Sequence, residues 1–132
     1  MKDKNILILI IMFLVLTLVC LTPWINGKDG NGYYALTHSV VINKDLDLRE
    51  EATYLVEEKG NNVVKEDVFT QKFYTQYTIG TAIFQTPFFI LGHVISLITN
   101  HTTDGWSIIY IYMVCLGSAL CGFLGILLMY KL

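Results

Sequence analysis

Charge is missing from most of this chain. No Asp, Glu, Lys or Arg occurs in residues 5–27, 73–103 or 105–130. Each of these intervals is longer than the ~20 apolar residues needed to cross a hydrocarbon core of ~30 Å. With 54% hydrophobic and 15% charged residues, the composition excludes an ordinary soluble domain. Cysteine is scarce too: Cys20, Cys115 and Cys121 all fall inside apolar windows. None of them has metal-ligand or redox spacing, so they read as small packing residues. No Gly-rich phosphate loop, H-x-x-x-H pair or Ser-centred elbow occurs, which leaves the soluble enzyme classes without support.

The charge that is present is concentrated. Fifteen of the twenty charged residues lie in 28–72, six basic and nine acidic. That balance offers no basic stripe and excludes nucleic acid as a partner. The pattern predicts an all-α membrane protein: three transmembrane helices, with a long loop containing short interfacial helices between the first and second. The divisions are 1–22, a first span with its short N-terminus; 23–78, a polar loop with amphipathic helices; and 79–132, a transmembrane helical hairpin.

The first span, 6–21, follows two lysines, as a signal peptide would. Its apolar core is longer than a signal h-region of ~7–15 residues and no A-x-A-like site follows, so it reads as a retained helix. Pro23 and Trp24 supply a stop and an interfacial anchor. In the second span, 79–99, Pro87 predicts a kink or a break in the hydrogen-bond ladder. The third, 106–130, carries Ser118 and Gly122 as a small-xxx-small pair suited to close helix packing, within this chain or with other transmembrane helices. Six residues, 100–105, join the last two spans, which makes them an antiparallel pair. The Asn100-His101-Thr102 sequon is discounted because the turn is tight against the bilayer. Basic residues near both ends of the loop leave its side undecided by charge counting.

Within the loop, Tyr33, Leu36, Val40 and Val41 fall at helical spacing, predicting a helix over 30–43 with Asp29 as its N-cap. A second helix is expected over 50–59, stopped by the GNN at 60–62. Phe73, Tyr74 and Tyr77 read as an aromatic belt entering the second span.

Taken in order, an acidic residue after a first span, YYALTHSVVINKDLDL, and then QYTIGTAIFQTPFFILGH form a pattern. It resembles the N-terminal part of membrane glycosyltransferases of the C-type fold, specifically the bacterial and archaeal relatives of dolichyl-phosphate-mannose protein mannosyltransferases. The resemblance covers roughly residues 24–93. It implies a cytoplasmic N-terminus, an outward-facing loop 23–78, and residence in the cell membrane. It further implies transfer of a sugar from a polyprenyl-phosphate carrier to an extracytoplasmic acceptor. Members of that family have many more spans, so this chain represents an N-terminal portion, incomplete as a catalyst alone.

The resemblance assigns Asp29 as the catalytic carboxylate, acting as base or as one ligand of a divalent metal in a complete enzyme. It places Tyr33, Tyr34 and His38 in an acceptor or lipid-phosphate cleft holding the lipid-linked sugar donor. The plainer readings are an N-cap for Asp29, interfacial tyrosines, and a solvated histidine. His93, deep in the second span, is a functional candidate by position, or else an imidazole bonded to a neighbouring helix. Asp45 and Asp47, alternating with Leu46 and Leu48, read as the polar side of a half-buried strand. Glu50, Glu51, Glu57 and Glu58 read as a solvated helix face. The competing function is a small non-enzymatic membrane protein, acting through helix association and a partner-binding loop.

Overall fold

A computed structural model of the chain describes residues 2–25, 27–57 and 63–132. The described residues form five α-helices, one π-turn and a small sheet: α1 (Lys2–Cys20), α2 (Gly27–His38), a π-turn (Ser39–Asn43), α3 (Arg49–Glu57), β1 (Val64–Glu66), β2 (Phe73–Thr75), α4 (Ile79–Ile98) and α5 (Ile108–Lys131). Two of the helices, α4 and α5, are long and apolar enough to cross a membrane. The apolar helical stretch of α1, Lys4–Cys20, is shorter.

Helix directions follow from contacts. On α4 and α5, a Cβ on Gly92 would stand 3.0 Å from Tyr110 Cα, and bare Gly117 receives the Phe88 ring. This pair is therefore antiparallel, as the short connection requires. The close approach uses Gly92 and Gly117 rather than the expected Ser118/Gly122 pair; a Cβ on Gly122 would meet nothing within 4 Å. α1 touches α5 through one stripe. Phe13 stacks on Phe123 at 4.2 Å, and Asn5 Nδ2 donates to Tyr130 Oη at 3.1 Å. α1 is thus antiparallel to α5 and parallel to α4. Three alternating spans would make α1 and α4 antiparallel, so the arrangement departs from the expected order.

The polar segment is not purely helical. β1 and β2 pair antiparallel, with Val64 opposite Thr75 and Glu66 opposite Phe73. Asp67 closes their connection: its carboxylate accepts from Thr70 Oγ1 at 2.6 Å and from the Phe69 amide. These bonds hold the Asp67 carboxyl below its ordinary value, the Thr70 hydroxyl contributing most. Asp45 and Asp47 do not lie on a strand. They occupy a bend before α3, where Ser39 Oγ donates to Asp45 and the Phe73 amide donates to Asp47 at 3.0 Å.

α2 starts at Gly27, so Asp29 lies in its first turn and not at the N-cap. Its negative charge there still complements the helix dipole. The helix then widens into the π-turn and closes on Lys44, at φ 60°. α3 matches the second expected helix; the GNN stop at 60–62, with Glu58, lies outside the described residues. α4 runs helically on both sides of Pro87, with Thr86 Oγ1 bonded to the Ala82 carbonyl.

Two cores join the loop to the helices. Leu48, Leu55, Val63, Val64 and Ala82 form one, and Tyr34, Phe89, Tyr110 and Val114 the other. Each large side chain here contributes roughly 1.5–3 kcal/mol by leaving water. The α4 face toward α2 is thereby covered, while Ile83, Phe84, Ile90, Leu91 and Val94 are uncovered.

Between the cores sits a polar knot that the sequence reading missed. His38 is buried, and so is Glu51. His38 Nδ1 meets Glu51 Oε1 at 2.7 Å, and Asn43 Nδ2 donates to the same oxygen at 2.9 Å. His38 Nε2 donates to the Asp104 carbonyl at 2.8 Å. A carbonyl only accepts, which fixes a proton on Nε2. The "solvated" histidine and one member of the "solvated" acidic face are thus each other's partners. Glu50 remains exposed. Glu51→Ala should therefore cost about 3–5 kcal/mol, the range for breaking a buried pair. Glu50→Ala should stay within about 0.5 kcal/mol. Denaturant unfolding in detergent micelles checks the contrast; equal losses would show that the pair is not buried.

Candidate functional site

The polar surface near the start of α4 centres on Asp29. The first turn of α2 holds its carboxylate in the open, where the Tyr77 hydroxyl donates to Oδ1 at 2.6 Å. Tyr77 stands two residues before α4, so this bond joins the beginnings of the two helices. Tyr33 packs against the same ring, with centroids 5.0 Å apart. Gly32 makes the approach feasible: any Cβ there would fall on the Tyr77 ring carbons. Exposed Asp29 and half-buried Tyr33 and Tyr77 thus form one cluster with a glycine floor. The hydrogen bond to Asp29 is the largest cause of a raised Tyr77 phenol value.

Tyr34 and His38 lie elsewhere, although the sequence grouped them with Tyr33. Tyr34 is 1% exposed, and its hydroxyl donates to the Gly105 carbonyl. Burial, first of all, pushes its phenol far above the ordinary range. His38 is held by Glu51 and Asp104, and its ring stacks on Trp106 at 4.6 Å. Trp106 also stacks on Tyr54 at 4.0 Å. Both expected cleft residues therefore point inward and bind other parts of the protein. His93 Nδ1 meets Tyr110 Oη at 2.6 Å, the neighbouring-helix bond that was its plainer reading.

Two depressions that share Gln85 and Ser118 lie beside α4 and α5. One, of about 580 Å³, runs between α4 and α5 past Thr81, Phe84, Gln85, Gly117 and Ser118. The other, of about 380 Å³, is bounded by the end of α1 at Cys20 and Trp24, by Gly30, and again by Gln85 and Ser118. Gln85 is fixed by Thr37, whose hydroxyl donates to Oε1 at 2.9 Å. Gly30 adjoins Asp29 in sequence, so the start of α2 forms part of the rim.

The residues present do not make a divalent metal site. Among the described residues no three His, Cys, Asp or Glu side chains converge on one point, and a hard cation needs about six oxygen ligands. Asp29 supplies a single carboxylate, and no step is derived through a metal.

The Asp29–Tyr77 pair was half legible. Asp29 stood out as a lone carboxylate after an apolar run, but Tyr77 read only as part of an aromatic belt. The signal was Gly32 together with Tyr33: a gap beside an aromatic on one helix turn invites a second ring. No family model, curated protein or solved structure matches this chain.

The raised phenol gives a signed test. A group with a raised value keeps its proton in the folded state. The bond to Asp29 is therefore intact below the ordinary 10.0 and is lost as pH climbs through the folded value. The ultraviolet titration of Tyr77, taken as wild type minus Tyr77→Phe, should begin above the ordinary range. Asp29→Asn should bring it down, and so should Gly32→Ala, whose methyl displaces the ring. A Tyr77 titration indifferent to both changes would mean that the cluster does not form.

Proposed function

We propose that this chain is the N-terminal portion of a polytopic membrane glycosyltransferase. It would present an acceptor-side carboxylate, Asp29, to a sugar carried on a polyprenyl phosphate. The observation that carries the reading is the placement of Asp29: exposed, in the first turn of α2, and tied by Tyr77 to the start of α4. An ordered run of motifs from Asp29 to His93 supports it as well, since it follows the pattern of that enzyme class. The apolar helices hold the unit in the membrane, with the lipid bilayer and further transmembrane helices as its surroundings.

The chemistry is a displacement at the anomeric carbon. The acceptor hydroxyl oxygen forms the new bond to that carbon. The bond from carbon to the carrier phosphate breaks, its electron pair leaving with the phosphate, and the hydroxyl proton passes to Asp29. A carboxylate held by one phenol keeps an exposed edge for that proton. Charge developing on the departing phosphate needs cationic stabilisation, which this cluster does not supply, so the complete site draws on groups outside it. Tyr33 lies beside Asp29 and contributes an amphipathic face toward acceptor or carrier; Tyr34 and His38 hold the scaffold.

Expression together with the coding sequence that adjoins it, followed by transfer assays with a polyprenyl-phosphate sugar, tests the proposal. Asp29→Asn should lower transfer by about 10²–10⁴-fold, the usual worth of a positioned base, while Lys28→Ala leaves it near wild type. Unchanged transfer in Asp29→Asn removes this carboxylate from the mechanism.

A second reading has one observation in its favour. Gly122 and Gly125 of α5 have no neighbour within 4 Å of where a Cβ would stand, leaving a strip open to another helix. A non-enzymatic membrane protein acting by helix association would use that strip. Crosslinking in native membranes that yields a defined oligomer without any lipid-linked sugar favours it.

A further inference from the structure

We infer that the two depressions beside α4 and α5 form one binding site for a neutral acylglycerol. Its chain occupies the groove between the two helices, and its glycerol ester sits at Gln85 and Ser118. This goes beyond the glycosyltransferase reading and does not depend on it.

Size and shape come first. The volumes, about 580 and 380 Å³, each fall within the ~300–1,000 Å³ usual for small-molecule sites, which often lie between helices. Gln85 and Ser118 are the residues common to both. They form a polar junction from which one arm leads away on each side. The larger arm passes Gly80, Phe84, Gly117 and Cys121, small or apolar residues that leave a slot for a chain. The smaller arm passes Thr22, Trp24 and Gly30, and tryptophan is enriched where lipid headgroups lie.

The junction offers a donor and an acceptor. Thr37 is fully buried and donates to Gln85 Oε1 at 2.9 Å. That bond turns Nε2 away from Thr37, and the Nε2 group has no hydrogen-bond partner among the described residues. It therefore carries two unused N–H donors. Ser118 Oγ donates its single proton to the Val114 carbonyl at 3.0 Å, so toward a ligand it can only accept. An ester carbonyl accepts and a glycerol hydroxyl donates, and an acylglycerol carries both on neighbouring carbons. Pairing them removes the cost of leaving polar groups unmatched in apolar surroundings.

Charge decides against other lipids. Among the described residues, no Asp, Glu, Lys or Arg lines either arm. A phosphate headgroup is held by charge-assisted bonds from Arg, Lys or a set of backbone amides, and this junction has none of them. Asp29, which adjoins Gly30 at the rim, is exposed and would repel an anion. An uncharged headgroup meets neither obstacle.

Photolabelling tests the site. The full chain in phosphatidylcholine vesicles is irradiated with a diacylglycerol that carries a diazirine on one acyl chain, and the labelled peptides are mapped. Labelling should saturate and fall on 78–85 and 114–121. Unlabelled diacylglycerol should displace it, whereas phosphatidic acid with the same chains and a long-chain prenyl phosphate should not. Gln85→Leu and Gln85→Glu both remove the N–H donors, the second while keeping an oxygen for Thr37. Each should weaken half-saturation about three- to tenfold, the worth of one hydrogen bond. Cys121→Trp, at an exposed position, should close the larger arm and abolish saturable labelling; Lys28→Ala should change nothing. Circular dichroism melting checks that each variant is folded, and the competition series on the wild type stands without them.

Labelling that never saturates and spreads to Ile90 and Leu97 would show bulk lipid only and overturn the site. Half-saturation unchanged in both folded Gln85 variants would overturn the role of the carboxamide. Equal displacement by phosphatidic acid or prenyl phosphate would overturn the neutral headgroup. With Cys20 and Cys115 changed to Ala, a copper-catalysed disulfide between two copies at Cys121 that excludes the probe would overturn the site too, since a second copy would then fill the groove.

Discussion

His38 is bonded at both ring nitrogens, and the rest of the loop is arranged around that fact. One nitrogen reaches Glu51 on α3 and the other reaches the carbonyl of Asp104 before α5. Residues far apart in sequence are thereby locked at one point, with Asn43 and Trp106 completing the enclosure. A buried ion-pairing group is costly unless its partners are all in place. Glu51 Oε1 has two such partners, His38 and the Asn43 amide delivered by the π-turn, while Oε2 is buried without a hydrogen bond among the described residues.

From this knot follows the relation of the loop to the membrane helices. The turn after α4 is bound to the end of α2, and Tyr77, just before α4, is held by its start, so α2 lies along the length of α4. The Asp29–Tyr77 cluster sits at the opposite end of α4 from that turn, where α2 and α4 begin together. Its carboxylate is open while the imidazole at the far end of α2 is closed. A twelve-residue helix thus separates a structural end from a chemical end, and the proposed transfer reaction uses only the latter.

Some of this was legible beforehand. The extents of α4 and α5 follow from uncharged runs, and the positions of α2 and α3 from periodicity and a polar stop. Asp29 stood out because a lone carboxylate after an apolar run has little structural use. The partner of His38 was not legible: Glu51 looks the same in sequence as Glu50, one residue away, yet one is buried and the other exposed. The short sheet was hidden as well, since three-residue strands carry no usable alternation, and its register depends on Leu48 and Asp47 bonding across to Phe73.

The sequence by itself determined that apolar helices flank a polar, mixed segment, because removing every charge from a run of that length leaves water-free surroundings as the favourable environment. It also determined where Asp29 would stand relative to the first apolar run. Only the tertiary structure decided which helices run together, which charges meet, and on which side of α4 the following turn lies. Hydropathy measures how apolar a helix is, and is silent on whether lipid or protein covers each face. Which segment lies against which rests on hydrogen bonds between residues more than sixty positions apart.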